Sequence, residues 1–334
     1  MTKEICSKCF NSEGLKLMSL NYGKNIKLKC KNCGELEGLL ISKTSLEELA
    51  HKYFIEGTYY NTEYGGSPLI QYNEYQKTDV DFGKYLNGDI KIFEDSLKIG
   101  FFYYAPRLFM LGEIEPLKKL ENTEESISVL NEIIEKFPTV ILTTKDYFYR
   151  LRTNPEFPHL ESEYDSPPIQ FSGTGRLDNK DFNVFYGSKN IEICFHECRV
   201  SIIDNTYIAK LRPIKNLKLL NLNSIINETN TEFESLGLSI HFIFRAENHS
   251  YEICRRIARF VFDNGFDGII FPSYFSKVKG ETIPNIALFG KPITDNKINV
   301  ESIDRALINT VKYDYSFGPL IIEEKIIGNT LYKI

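Results

Sequence analysis

The chain has no surplus of positive charge: 40 lysines and arginines face 45 acids over 334 residues, for a net charge of −5. Proteins with a large nucleic-acid footprint carry a basic excess or basic clusters, so that class is disfavoured. No apolar run approaches the roughly 18–20 residues of a membrane helix. The longest, residues 99–111, is broken by Gly100, Pro106 and Arg107. The opening MTKEICSKCF has no apolar stretch behind a basic one, so no secretory signal is expected. Histidine is scarce, five in all, and none stands at metal-ligand spacing. Seven cysteines, an odd number, do not read as a disulfide set. These absences point to a cytoplasmic protein without membrane contact. What is present, 42% hydrophobic and 25% charged residues, is the composition of an ordinary globular protein. The length allows two domains and a small appendage.

Four of the cysteines form the strongest motif. Cys6-x-x-Cys9 is followed, after twenty residues, by Cys30-x-x-Cys33. Each pair lets two thiolates of one tight knuckle reach the same ion, and the span between them allows a hairpin that completes a tetrahedral site. Gly34 suits the turn after the second knuckle. A closed four-sulfur site leaves no position for water, so the expected Zn2+ is structural. Lys24, Lys27, Lys29 and Lys31 make this ribbon locally basic. They leave open a nucleic-acid contact, although solvated lysines are the commoner explanation.

A zinc ribbon is therefore expected over residues 1–42, and a mainly helical domain over 43–140. Thr44 or Ser45, followed by Glu47, Glu48, Leu49 and Tyr53, reads as a capped helix. Residues 59–87, rich in Tyr, Gly, Asn and Asp, are ambiguous. Residues 90–104 look helical, and Ile127, Leu130, Ile133 and Ile134 repeat at helical spacing until Pro138. With no reactive constellation, this segment is expected to serve oligomerisation or regulation, which leaves a homo-oligomer open.

Residues 141–334 read as an α+β domain. Short β-type runs occur at 140–144, 183–186, 207–211, 217–222, 267–271 and 285–289. Two helices interrupt them. One spans about 190–203, with Ile191, Cys194, Phe195, Cys198 and Ile202 on one face, Glu197 on its flank and His196 towards solvent. The other runs from Ser250, a good N-cap, to Asn264, with Gly265 as its stop and Ile253, Ile257, Phe260 and Val261 as its apolar face. Cys194, Cys198 and Cys254 are read as core. Beyond residue 295 little is legible, apart from a candidate strand at 319–322.

Several chemistry-bearing residues stand in this half: Ser172-Gly173-Thr174-Gly175-Arg176, then Tyr186, Glu197 and Ser273. Singly, each has a bland reading as loop, core or solvated residue. Their order carries a resemblance. The run IQFSGTGRLDN…NVFYGSKNIEICFHEC, with FDGIIFPS and PNIALFG downstream, resembles the RES domain over about residues 147–290. The resemblance implies an ADP-ribosyltransferase-like core of short strands with flanking helices. It also implies membership among bacterial toxins that destroy NAD and are paired with an antitoxin. The early arginine of the family pattern matches Arg150, with Arg152 as the alternative. The turn arginine matches Arg176, the strand tyrosine Tyr186, the helix acid Glu197 and the late serine Ser273. A hydroxyl expected near the nucleotide matches Ser250. The usual aromatic-Asn after the turn arginine is here Leu177-Asp178-Asn179. The ribbon and helical segment are similar to a subset of the family with an N-terminal extension.

These residue types suit that chemistry. Guanidinium groups clamp phosphate oxygens through paired, charge-assisted hydrogen bonds, and NAD carries two phosphates. Nicotinamide leaves with its positive charge neutralised, so no general acid is needed, and the ribose develops oxocarbenium character. A carboxylate at Glu197 can stabilise that charge. Tyr186 would stack on nicotinamide, and Ser250 and Ser273 would orient the carboxamide or ribose. The expected activity is NAD glycohydrolysis or phosphorolysis. The alternatives are ADP-ribosyl transfer to a macromolecule, or a nucleic-acid-binding regulator with a degenerate catalytic domain.

Overall fold

The computed structural model describes residues 5–25, 29–62, 65–104, 113–168, 172–246, 248–273 and 283–320. The chain forms two compact units. One comprises Met1–Thr62, Gly66–Leu111 and Tyr313–Ile334, and the other Gly112–Lys312 with Glu63–Gly65. Lys27 and residues 321–322, on which two of the expectations above rest, lie outside the described residues. Pro319 and Leu320 form no strand.

In the first unit the segment of the cysteine knuckles and the helices after it share a core. Ile5, Phe10 and Leu15 share one core with Leu46, Leu49, Phe54 and Phe93. The Phe54 ring lies 5.3 Å from Phe82, 5.2 Å from Phe93 and 4.6 Å from Phe101. Asp89, fully buried, accepts the amide hydrogens of Asn11 at 2.7 Å and Ser12 at 2.8 Å, fastening the first knuckle's exit to helix Asn87–Leu97. The helix Lys43–Ala50 is capped by Ser42 rather than by Thr44 or Ser45, its Oγ accepting the Ser45 amide at 3.1 Å. The expected helix over 90–104 stops at Leu97, because Lys98 turns left-handed at φ 64° and Gly100–Tyr103 pairs as a strand with Ile70–Asn73. Helix nevertheless outweighs strand over residues 43–140, with α-helices at Lys43–Ala50, Asn87–Leu97, Glu115–Glu121 and Ser126–Lys136.

The second unit is built on an eight-stranded sheet, so the α+β expectation for the C-terminal half holds. Its strands are β1 (Thr139–Leu142), β2 (Phe148–Thr153), β3 (Val184–Ser188), β4 (Thr206–Pro213), β5 (Leu217–Asn221), β6 (Gly268–Pro272), β7 (Pro284–Phe289) and β8 (Ile298–Ala306). Their spatial order is β8-β4-β2-β3-β7-β6-β5-β1. All neighbours are antiparallel except β5 and β6. The helices are α1 (Glu115–Glu121), α2 (Ser126–Lys136), α3 (Ile191–Glu197), α4 (Leu236–Arg245) and α5 (Tyr251–Asp263).

Alternation along the central strands gives the sheet two apolar faces. Val184, Tyr186, Ile269, Phe271, Ala287 and Phe289 meet the helices, while Phe185, Ile270, Ile286 and Leu288 build a second core. The second unit takes in residues from Gly112 onward. Val129, Leu130 and Ile133 of α2 are buried with Ile240 and Ile257 of α4 and α5. Two strands (β2 and β8) and two helices (α1 and α4) were not individually anticipated. The helix expected over 190–203 ends at Glu197, because Arg199 takes φ 49°. Of its expected apolar face, Ile191 and Ile202 are exposed, Ile202 by 66%, and so is Cys198, which was read as core. Among the described residues no helix is long and apolar enough to cross a membrane.

Candidate functional site

The site lies where the sheet opens. β3 pairs with β7 over five residues but with β2 only at Ser188–Tyr149. Beyond that point β2 continues along β4 alone. A cleft of about 390 Å³ occupies this region, within the size range of small-molecule sites. Arg150, Arg152, Arg176, Tyr186 and Glu197 all line it. Five of the seven residues expected to act on the nucleotide are thus brought to one cavity.

The three arginines are held by carbonyls. Arg150 donates Nη1 to the Tyr186 carbonyl at 2.8 Å, and its guanidinium lies 4.4 Å over the Phe185 ring. Its buried Nε has no partner among the described residues. Burial, then the neighbouring Arg152 charge, pushes its pKa well below the usual guanidinium value. Arg152 donates to the carbonyls of Glu163 at 2.7 Å and Asp165 at 2.9 Å, and burial lowers its pKa too. Arg176 donates Nη1 to the Ile243 carbonyl at 3.1 Å and stands 4.8 Å over the Tyr251 ring. Among the described residues none of the three forms an ion pair. Buried charge without a counter-charge is costly unless something compensates it, so this is a cleft fit for an anion.

Glu197 ends α3, whose start is capped by the Asn190 side chain accepting the Ile193 amide at 3.2 Å. Its Oε1 accepts two hydrogen bonds, from Ser273 Oγ at 2.7 Å and Asn285 Nδ2 at 2.6 Å. Hydrogen bonds to a charged group are worth about 1.5–3 kcal/mol each. Ser273 does not line the cleft but is fully buried behind Glu197. Ser250 is buried likewise. It does not cap α5 with its side chain, but donates to the Ile243 carbonyl at 3.0 Å and lies 3.4 Å from Arg176 Nη1. Both serines thus support cleft residues instead of facing the cavity.

The Gly-rich turn is set by Tyr186 together with Asp178 and Arg255, two residues not expected to belong to the site. Tyr186 donates its hydroxyl to Asp178 Oδ1 at 3.0 Å and accepts the Leu177 amide at 2.9 Å. Burial, then the Asp178 charge, pushes the phenol's pKa well above its usual value, so it stays a neutral donor. Asp178 Oδ2 accepts the Gly173 amide at 2.6 Å, and Arg255 Nη2 donates to the carbonyls of Gly173 and Gly175, both at 2.9 Å. A Cβ on Gly175 would sit 2.0 Å from Asp178 Oδ1, so only glycine fits there. Asp178, where the family pattern is shifted, therefore carries the loop. An acid beside a Gly-x-Gly turn is a signal for such amide capture. Arg255 gave no signal that separates it from the adjacent Arg256. Asn285 did give one, since Asn is depleted in strands.

The first unit carries a separate centre. The sulfurs of Cys6, Cys9, Cys30 and Cys33 all lie within 4.8 Å of one another. Cys6 is 3.8 Å from Cys9 and 3.5 Å from Cys33, and Cys9 is 3.5 Å from Cys30. Tetrahedral Zn–S bonds of about 2.3 Å require sulfurs roughly 3.8 Å apart, so the donor set fits. Burial pushes the Cys9 thiol up to about 11 and Cys6 higher still; a cation would relieve both. Gly34 has φ 81°, as the knuckle turn requires.

Residues 148–308 match the model of the RES domain family. A chain in the crystal structure of the M. tuberculosis MbcT-MbcA toxin-antitoxin complex is similar at 10% identity, with 53% of this chain and 91% of that chain covered and a TM-score of 0.34. No curated protein matches.

Proposed function

We propose, from the match of residues 148–308 to the RES domain family, that this chain cleaves the nicotinamide–ribose bond of NAD, as a cytoplasmic toxin restrained by an antitoxin-type partner. The observation that supports this most is that Arg176 and Glu197 line one cleft. Three guanidinium groups that form no ion pair among the described residues suit the two phosphates of a dinucleotide, which they can grip through charge-assisted hydrogen bonds. Arg150 and Arg152 would take one end of the pyrophosphate, and Arg176 the other.

The bond breaks with its electron pair going to the nicotinamide nitrogen, whose positive charge is thereby neutralised. The ribose carbon left behind acquires oxocarbenium character. Glu197 meets that charge with a carboxylate already oriented by Ser273 and Asn285, the kind of preorganised electrostatic term that dominates many active sites. The Tyr186 ring offers nicotinamide a face, its hydroxyl being engaged by Asp178. Water then adds to the ribose carbon and loses a proton, giving ADP-ribose; phosphate adding at the same carbon gives the 1-phosphate. In the first unit Cys6, Cys9, Cys30 and Cys33 would hold a structural Zn2+.

Release of free nicotinamide from NAD, followed chromatographically with water alone and with added phosphate, tests the reading. The wild type consumes NAD. Glu197→Gln slows it by on the order of 10²–10³, and Arg176→Ala weakens binding as well. NAD left intact under both conditions overturns the proposal. Label from NAD retained on a macromolecule would redirect it to ADP-ribosyl transfer.

A further inference from the structure

Glu197 stands at the end of a helix of only seven residues and is itself exposed, so its long side chain has little local packing to fix it. Its orientation comes from the sheet. Asn285 sits in β7 opposite Ser188 of β3 and Phe271 of β6, and is 7% exposed. It is the polar residue of a strand whose next four residues are buried and apolar. Its Nδ2 reaches the oxygen of Glu197 that Ser273 also binds, whereas Glu197 Oε2 accepts no hydrogen bond among the described residues.

Building on the NAD reading above, we propose that Asn285 is the positioning residue of the site: with Ser273 it loads one oxygen of Glu197 and thereby presents the other to the ribose. An amide suits this task because its NH2 group donates without carrying charge or competing for the substrate's cation. Two donors converging on one oxygen hold the carboxyl group against rotation. Such placement matters because a misplacement of about 1 Å can cost roughly 10²-fold in rate.

Three variants test this. Asn285→Leu keeps the volume and removes the donor. Asn285→Asp keeps the shape and replaces the donor by a second carboxyl group, and two adjacent carboxyls share a proton as the pH falls. At pH 8 both are expected to lose about 10²-fold in kcat with KM little changed. Asn285→Asp should regain activity relative to wild type towards pH 6, because the shared proton restores a donor, while Asn285→Leu should not. Asn285→Ala serves as the cavity control for packing. A kcat unchanged in Asn285→Leu overturns the assignment, and so does an equal, pH-independent loss in Leu and Asp. A crystal structure of Asn285→Leu separates this from failure of the NAD reading. Glu197 leaving Ser273 supports positioning even if no NAD is consumed, and Glu197 unmoved overturns it.

Discussion

Arg150 donates to the Tyr186 carbonyl at 2.8 Å across the opening where β2 and β3 have parted. A side chain thus occupies a place that a strand-to-strand hydrogen bond would otherwise fill. Both residues line the cleft, and the Arg150 guanidinium is buried there with no ion pair among the described residues.

The first prediction concerns that charge. Burial holds the Arg150 pKa well below its usual value, so in the empty protein the charge is a standing cost. Arg150→Met is expected to hold or raise the melting temperature while abolishing the thermal stabilisation given by NAD. Scanning fluorimetry with and without the nucleotide reads both; a large loss of stability with the NAD shift retained would contradict it.

Tyr186→Phe keeps the ring but strands Asp178 Oδ1 and the Leu177 amide. Unsatisfied buried groups cost about 1–3 kcal/mol, so denaturant melts should show a loss of that order. The sign with pH follows from the phenol's raised pKa in the fold. Below about pH 10 neither folded nor unfolded chain ionises it. Above that the unfolded chain releases a proton the folded one retains, so wild-type stability falls and the gap to Tyr186→Phe narrows.

Thiol titration should count the metal centre. Outside the cysteine cluster Cys198 is exposed, whereas Cys194 and Cys254 are buried, with pKa values pushed up by burial to about 12 and about 11. One thiol is expected to react in the native metal-loaded protein, four more after chelation, and the last two only on denaturation. Immediate reaction of five would mean that no metal is held.

At the sheet's edge Glu301 pairs with Arg212 of β4 and lies 3.0 Å from Lys210. Hydrogen bonds from these two hold its carboxyl down at about 2. Its contribution is present above the unfolded carboxyl pKa, near 4.3, and disappears as the pH falls towards about 2. Stability curves of wild type and Glu301→Gln should therefore differ at neutral pH and converge in acid, with the difference shrinking in high salt. Parallel curves throughout would exclude the role.

The sequence announced strands whose both faces are buried, such as GIIFP and IALF, because their apolar runs are continuous. It hid β2, where Arg150 and Arg152 interrupt the alternation, and β8, an edge strand whose residues are mostly exposed. Helix α4 escaped because its apolar residues crowd both sides of LGLSIHFIFR, blurring the period. Ile191 and Ile202 misled in the other direction, since apolar residues also occupy surfaces. Among cleft residues, those with a motif around them were legible. Asp178, Arg255 and Asn285 act by bonding other side chains or loop backbone, and such partnerships are set by tertiary proximity.

Asp89 has a practical corollary for anyone shortening this protein. Trimming away the first forty-odd residues would do more than discard a metal-binding tag. It would leave a sunken acid facing vacated amides and bare the aromatic cluster around Phe54. Keeping Gly112–Lys312 instead would follow the chain's own division, because Tyr313–Ile334 belongs with the first unit.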